Sequence, residues 1–255
     1  MQYFVDLAGW QQALIACTFT WTMTAAGASL VFFFRKVSQS AFSLMMSGAS
    51  GIMLASAFFS LLLPALEAGG EYSFIVLTSG FVAGGLLIIF TDVAVNRLNL
   101  FSSRNTRSGA VTCVAVTIHN IPEGMAVGVA FAAVGGGASA VISAVMLAFG
   151  IGIQNFPEGM CVAFPLRANG FSRFKSFFIG QLSGAVEIVA GLIGAVAVTF
   201  ISGILPFALA FSAGAMLAVV CSELIPQSFE SGKIKATLGV ITGFALMMIL
   251  DIALG

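Results

Sequence analysis

The chain has 255 residues, of which 59% are hydrophobic and 8% are charged, with ten basic and ten acidic side chains. A soluble domain usually carries about 25% charged residues, so this composition excludes an ordinary soluble domain, and we expect no nucleic-acid partner. The long apolar runs, without alternating polar residues, argue against a membrane β-barrel.

Long apolar stretches indicate membrane-spanning helices, each of which needs about 20 residues to cross a bilayer. Eight such stretches fit the chain, and we number them spans 1 to 8: 8–34, 41–66, 73–96, 109–134, 138–166, 174–200, 204–228 and 235–254. Residues 1–255 are therefore predicted to form a single all-α transmembrane domain in the lipid bilayer.

The basic residues are confined to alternate loops. All ten follow spans 1, 3, 5 and 7: Arg35, Lys36, Arg97, Arg104, Arg107, Arg167, Arg173, Lys175, Lys233 and Lys235. Loops rich in Lys and Arg stay in the cytoplasm. We therefore predict a multi-pass protein of the cell (inner) membrane with both termini outside the cytoplasm, which requires an even number of spans.

Two pairs of spans share sequence patterns. In spans 3 and 8, Gly80-Phe81-Val82-Ala83-Gly84 and Gly239-Val240-Ile241-Thr242-Gly243 are each followed, after seven residues, by Asp92 and Asp251. In spans 2 and 7, Met53-Leu54-Ala55 and Met216-Leu217-Ala218 each precede a serine, a proline and a glutamate. The predicted topology places the members of each pair in opposite orientations. This pattern is typical of an inverted repeat in secondary transporters, and it predicts a 3+2+3 arrangement in which spans 1–3 and 6–8 flank a central pair.

A polar motif occurs twice inside apolar spans. Span 4 contains His119-Asn120-Ile121-Pro122-Glu123-Gly124-Met125, and span 5 contains Gln154-Asn155-Phe156-Pro157-Glu158-Gly159-Met160. An ionisable side chain within a bilayer is costly and indicates a functional site. Each proline removes the hydrogen bond to the carbonyl four residues earlier, so we expect a kink and free carbonyl groups beside both motifs.

Helical spacing places the polar side chains of each motif on one side of its span. His119 and Glu123 are four residues apart, as are Gln154 and Glu158, and the asparagines precede the glutamates by three. Two carboxylates that face each other in an apolar medium take up protons or share a cation. Imidazole suits transition metals, whereas carboxylate and amide oxygens suit harder ions. The mixed set favours a borderline divalent ion, and Glu187 of span 6 adds a third buried carboxylate.

Plainer interpretations apply to each part of this site. A lone buried histidine is usually a satisfied core residue, and a lone Pro-Glu-Gly sequence is a kink with a capping carboxylate. Because the motif is duplicated, we favour one cation site between spans 4 and 5. The four cysteines, Cys17, Cys113, Cys161 and Cys221, are expected to be small core residues without disulfides.

With these motifs the chain resembles the ZIP (Zrt/Irt-like) family of divalent metal transporters, and most closely its bacterial GufA-like branch. The resemblance implies a homodimer with a two-metal centre and divalent metal as substrate: zinc foremost, with cadmium, iron or manganese as further substrates. It implies a first site of His119, Glu123, Gln154 and Glu158 with Met53 as a soft neighbour, and a second of Asn120, Glu123, Asn155, Glu158 and Glu187. Many members have His at the position of Gln154, and some have Asp at that of Asn155, so the second site should be weaker here or have a different metal preference.

Other functions are open at this point. A selective divalent-cation channel would need the same buried ligands. An intramembrane metalloprotease needs two histidines in an HExxH motif, and the chain has one histidine, so we expect neither an enzyme nor an organic cofactor. The sequence leaves the roles of Asp92, Glu223 and Asp251 open, Glu223 being either a cytoplasmic-side metal or proton ligand or part of an interhelical hydrogen bond.

Overall fold

The computed structural model describes residues 2–34, 38–70, 73–97, 104–133, 138–200, 203–230 and 232–254. Within these ranges every regular element is a helix, which confirms the all-α prediction. The side chains of Asp92, Cys113 and His119 lie outside the described ones.

Each predicted span corresponds to a helix that ends within a few residues of the predicted bounds. A short helix, Gln2–Val5, precedes them. The spans are Gly9–Ser29 with a 3-10 turn Leu30–Phe32, Gln39–Ala68, Ser73–Arg97, Arg104–Ala132, Ala138–Ala168, Arg173–Phe200, Leu205–Phe229 and Lys233–Leu254. Among the described residues seven of these are long and apolar enough to cross a membrane. Span 4 has 29 residues. In its first half, the side chains of residues 104–116 lie outside the described ones.

Spans 4 and 5 remain helical through their prolines. Pro122 lies inside span 4, and Pro157 and Pro165 lie inside span 5. A proline has no N–H group, so the carbonyl groups of Ile118 and Ile153 lack their usual helical donor. Both motifs are thus held on continuous helices and keep the predicted spacing of their side chains.

Spans 2 and 7 each contain a π-helical segment that the sequence did not predict. Ser56–Leu62 in span 2 and Val220–Leu224 in span 7 lie just before Pro64 and Pro226, each the second residue of the following α-helix. The missing N–H of proline frees a carbonyl in the preceding turn, which lets the turn widen. Because π segments are rare, their matching positions support the inverted repeat.

The helices pair in a way that the inverted repeat reproduces. Span 2 packs along span 8 and span 3 along span 7; span 1 packs along span 5 and span 4 along span 6. Exchanging spans 1–3 with spans 6–8, and span 4 with span 5, converts each pairing into its partner. Spans 2, 3, 7 and 8 form the first bundle, and spans 1, 4, 5 and 6 form the second bundle. The second bundle also contains a close contact between spans 1 and 6.

Close glycine contacts repeat in the first bundle. A Cβ on Gly84 would lie 1.9 Å from the carbonyl oxygen of Phe211, and one on Gly243 would lie 2.1 Å from that of Gly48. The repeat aligns Gly84 with Gly243 and Phe211 with Gly48, so these are one contact made twice. A second mirrored pair joins Gly214 to Phe81 and Gly51 to Val240. The small residues therefore let helix backbones touch at symmetry-related places.

The cysteine prediction is correct in part. Cys17 and Cys161 are buried free thiols, as expected. Cys221 is exposed, so its assignment to the core was wrong. It lies on the outer side of the span 7 π segment, where a small, weakly polar thiol fits an apolar surrounding as well as a core.

Candidate metal centre

The polar residues of both motifs lie in the interior of the second bundle. Asn120, Glu123, Gln154, Asn155 and Glu187 have no exposed surface, and Glu158 is 5% exposed. In the sequence, every Lys and Arg lies in a loop or in the first or last turns of a span. The three carboxyl groups therefore meet no lysine or arginine from the middle of a span.

A hydrogen bond joins the two motifs. The side-chain amide of Gln154 donates to a carboxyl oxygen of Glu123 at 2.9 Å. Glu158 follows Gln154 by one helical turn. The predicted meeting of spans 4 and 5 at these side chains therefore occurs.

The two asparagines make equivalent bonds on opposite sides of the centre. Asn120 donates from Nδ2 to the carbonyl oxygen of Ser183 in span 6 at 3.1 Å, and Asn155 donates from Nδ2 to that of Thr20 in span 1 at 3.2 Å. Thr20 and Ser183 have the same separation in sequence as Met53 and Met216. A carbonyl oxygen only accepts, so both amides must turn their nitrogens toward these carbonyls, and both Oδ1 atoms are without a described donor.

Glu187 is held by two donors. Asn155 donates from Nδ2 to Oε1 at 2.8 Å, and the hydroxyl of Thr20 donates to Oε2. Glu187 in span 6 is thereby joined to span 5 through Asn155 and to span 1 through Thr20. The sequence prediction that Glu187 lies with the motifs is consistent with this geometry.

Five buried oxygen atoms of these residues have no hydrogen-bond donor among the described residues. They are Asn120 Oδ1, Glu123 Oε2, Gln154 Oε1, Asn155 Oδ1 and Glu158 Oε2. An unsatisfied buried polar atom costs about 1–3 kcal/mol, so five of them together would be a large burden on a stable fold. A divalent cation would offset this cost, because all five atoms are oxygen ligands of the kind that such ions take.

The centre contains more carboxamides than is usual for a metal site. Among the described side chains, no three His, Cys, Asp or Glu form a group of the kind that holds a metal ion by itself. Three of the six described candidate ligands from spans 4, 5 and 6 are Asn or Gln, and the side chain of His119 lies outside the described ones. Ion binding here would therefore depend on neutral amide oxygens as well as on the carboxylates.

Met53 lies in span 2, which belongs to the other bundle. Its side chain is fully buried and belongs to the same apolar cluster as Leu147 and Ile151 of span 5. Ile151 precedes Gln154 by about one helical turn. The role of Met53 as a soft neighbour of the centre stays a prediction.

Glu223 and Asp251 make hydrogen bonds to residues outside the proposed ligand set. The Ser60 hydroxyl contacts both carboxyl oxygens of Asp251 at 2.9 Å, which joins spans 2 and 8. Gln227 donates to Glu223 at 3.3 Å, and the Cys161 thiol donates to Gln227 at 3.6 Å. The structure thus gives Glu223 and Asp251 hydrogen-bond partners.

A cavity of about 410 Å³ opens where spans 2, 4, 5 and 7 meet. Ser60 and Glu67 line it together with apolar side chains, and Leu147 lies among them. Leu147 precedes Gln154 by about two helical turns. The cavity lies at the ends of these spans that are opposite the basic loops.

Comparison with known proteins places the chain in a family. A sequence model described as ZIP zinc transporter matches residues 100–251. The zinc transporter ZIP11 of Homo sapiens is 35% identical over an alignment 333 positions long, gaps included, which covers 96% of this chain and 97% of that protein. The chain belongs to the ZIP family. The ZIP relatives also include the zinc transporter GufA of Myxococcus xanthus, 38% identical over 77% of this chain and 81% of GufA, and the zinc transporter ZIPB of Bordetella bronchiseptica, 35% identical over 91% of this chain and 78% of ZIPB.

Membership of the ZIP family confirms several predictions. These relatives are named as transporters and not as enzymes, which sets aside the intramembrane metalloprotease. The family and the apolar helices together make this a multi-pass membrane protein. Sequence reasoning missed Thr20 and Ser183. Their separation in sequence equals that of Met53 and Met216, so the inverted repeat already makes them counterparts.

Proposed function

We propose that this protein carries divalent transition metals, zinc foremost, across the cell membrane into the cytoplasm by alternating access. The observation that carries the proposal is the set of five buried oxygen atoms without a described donor, three on amides and two on the carboxyl groups of Glu123 and Glu158, in a centre that also contains the buried carboxyl group of Glu187. A carboxylate in an apolar interior needs a counter-charge, and the chain supplies no lysine or arginine there. A divalent ion supplies that charge.

Two ion positions would share Glu123 and Glu158. The first would use His119, Glu123, Gln154 and Glu158, with Met53 nearby. The second would use Asn120, Asn155 and Glu187 with the same two bridging carboxylates. Imidazole with oxygen ligands and no thiolate cage fits zinc, and it also accommodates cadmium, iron(II) and manganese(II). We propose no organic cofactor.

Movement of one bundle against the other would supply the alternating access. Trp21 donates to Gln181, and Asn155 donates to Thr20, so polar bonds join spans 1, 5 and 6. The Ser60–Asp251 contact joins spans 2 and 8 of the other bundle. Between the bundles lies an apolar cluster that contains Met53, Leu147 and Met216. An apolar surface with few directional bonds, of which the Cys161–Gln227 contact is one, can slide at low cost, so the metal-binding bundle would move as a unit.

The direction of transport follows from topology. The cavity beside Leu147 lies on the side opposite the ten basic residues, and the positive-inside rule makes that the outer side. Metal would enter there, and both termini would face outward. We also propose a homodimer, because spans 3 and 8 contain the smallest shares of buried residues among the seven described apolar spans.

Flux into proteoliposomes tests this function. Purified protein is reconstituted, and uptake of zinc, cadmium, iron(II) and manganese(II) is compared with protein-free liposomes. We expect zinc uptake that saturates with concentration and depends steeply on temperature. Uptake that rises linearly with concentration and depends weakly on temperature would favour the channel alternative. Zinc entry no faster than in protein-free liposomes would contradict transport altogether.

A further inference from the structure

We propose that Thr20 of span 1 is a positioning residue of the metal centre: its hydroxyl holds Glu187 in the orientation needed to bind the second ion. The inference rests on the proposed function and adds span 1 to the parts of the chain that determine metal affinity. Thr20 carries no charge and is not one of the proposed ligands, and its side chain is fully buried.

Three hydrogen bonds close a ring around Glu187. Asn155 Nδ2 donates to Glu187 Oε1 at 2.8 Å and to the Thr20 carbonyl oxygen at 3.2 Å. The Thr20 hydroxyl donates to Glu187 Oε2. Thr20 therefore contacts one proposed ligand through its backbone and another through its side chain. With a donor on each oxygen, the carboxyl group is fixed in rotation about its last bond.

The inverted repeat provides an internal comparison. Ser183 is the counterpart of Thr20, and its carbonyl accepts from Asn120 as that of Thr20 accepts from Asn155. The Ser183 hydroxyl, however, donates within its own helix to the Gly180 carbonyl at 2.7 Å. The counterpart of Glu187 is Thr24, which has no carboxylate. The hydroxyl-to-carboxylate bond thus occurs only in the half of the repeat that contains Glu187.

A buried threonine usually bonds a carbonyl in the preceding turn of its own helix. That option exists for Thr20, whose hydroxyl oxygen lies 3.0 Å from the Cys17 carbonyl oxygen. A hydroxyl has one proton to donate, and a bond to a carboxylate is stronger than one to a neutral carbonyl. The proton therefore goes to Glu187, and the bond contributes to the centre rather than to the helix.

Both oxygens of Glu187 keep lone pairs after accepting one hydrogen bond each, so the residue can still bind an ion. Partners that orient a metal ligand typically change affinity by about 10–100-fold when they are removed. Removing the Thr20 hydroxyl should therefore weaken the second ion position by about that factor. The first position, which does not include Glu187, should change little.

Calorimetric zinc titration of the purified protein tests the inference. We expect two zinc equivalents for wild type, a second equivalent weakened by about 10–100-fold in Thr20→Val, and near-wild-type binding in Thr20→Ser. Valine keeps the shape of threonine and removes only the hydroxyl, and serine restores it. Ser50→Ala, the matched control, removes a buried hydroxyl of span 2 that donates within its own helix to the Met46 carbonyl at 2.8 Å, and it should bind both equivalents normally.

A double variant separates positioning from a general packing effect. In Glu187→Gln the second equivalent is already weakened, so adding Thr20→Val should cause no further loss of zinc affinity. A further loss of similar size would overturn the inference, as would two wild-type affinities in Thr20→Val. If Thr20→Val does not purify as a folded protein, Thr20→Ala replaces it in the same series. Wild-type binding by Glu123→Gln would instead contradict the proposed function itself.

Discussion

The side-chain amide of Gln154 donates a hydrogen bond of 2.9 Å to the carboxyl group of Glu123. This bond joins two helices that carry copies of one motif, and it leaves Gln154 Oε1 and Glu123 Oε2 buried without donors. Two neighbouring residues on separate helices thus each present a free acceptor within one centre. That relationship is the simplest structural reason to expect a cation between spans 4 and 5.

The two proposed ion positions should contribute unequally to transport. His119→Ala removes the only imidazole of the chain, whereas Asn155→Ala removes one neutral amide oxygen. We expect zinc uptake by proteoliposomes to fall further in His119→Ala than in Asn155→Ala. Initial rates at matched protein density check this order. A larger loss in Asn155→Ala would show that the second position dominates.

Replacing Asn155 with aspartate should make the protein more dependent on metal. Its Nδ2 donates to Glu187 and to the Thr20 carbonyl, and an ionised aspartate cannot donate to either. The metal-free protein should therefore melt at a lower temperature than wild type. With zinc bound, the added negative charge should tighten binding, so zinc should raise the melting temperature by more than in wild type. An equal zinc-induced rise in both proteins would count against an ion beside residue 155.

Two glycines one turn apart in span 2 should respond differently to alanine. A Cβ on Gly51 would lie 2.1 Å from the Val240 carbonyl oxygen, whereas a Cβ on Gly48 would meet nothing within 4 Å. We expect Gly51→Ala to lower the free energy of unfolding by about 1–3 kcal/mol, because the added methyl group overpacks the helix contact. Gly48→Ala should be neutral or slightly stabilising, since alanine is the better helix former. Thermal melts in detergent compare the two, and equal stability would contradict the close contact of spans 2 and 8.

The charge pattern predicts which loops face the cytoplasm. In a background without native cysteines, Ala133→Cys after span 4 should react with an impermeant thiol reagent applied to intact cells. Asn169→Cys after span 5, in the loop with Arg167 and Arg173, should react only after the membrane is opened. Both residues are exposed. The opposite labelling pattern would invert the topology and reverse the proposed direction of transport.

Much of the fold could be predicted from the sequence because lipid imposes simple rules. Apolar stretches give the spans within a few residues, and the glycine spacing of Gly80–Gly84 and Gly239–Gly243 indicates the repeat, because close helix contacts require small residues. The π segments could not be predicted in the same way. Their hydrogen-bond register depends on the local turn before Pro64 and Pro226, which has no signal in composition.

The residues of the candidate centre, likewise, could be predicted from the sequence only in part. His119, Glu123 and Glu158 attract attention because charge is costly in an apolar span. Thr20 does not, because a neutral hydroxyl in an apolar span is an ordinary packing residue, and its partner Glu187 is distant in sequence. Only the folded arrangement of spans 1, 5 and 6 brings the two together. Cys221 was misassigned for a related reason: apolar character does not distinguish a core-facing side of a helix from an outward-facing one.

The most direct test of a shared metal centre is zinc uptake by Glu123→Gln and Glu158→Gln in proteoliposomes. Glutamine keeps the size of each side chain and removes the charge that would bridge two ions. Asp6→Asn, an exposed acidic residue near the N-terminus, is the matched control for loss of one negative charge. We predict that uptake falls to the level of protein-free liposomes in both glutamine variants and is unchanged in Asp6→Asn. Wild-type uptake by a folded Glu123→Gln protein would contradict a transport site at this centre.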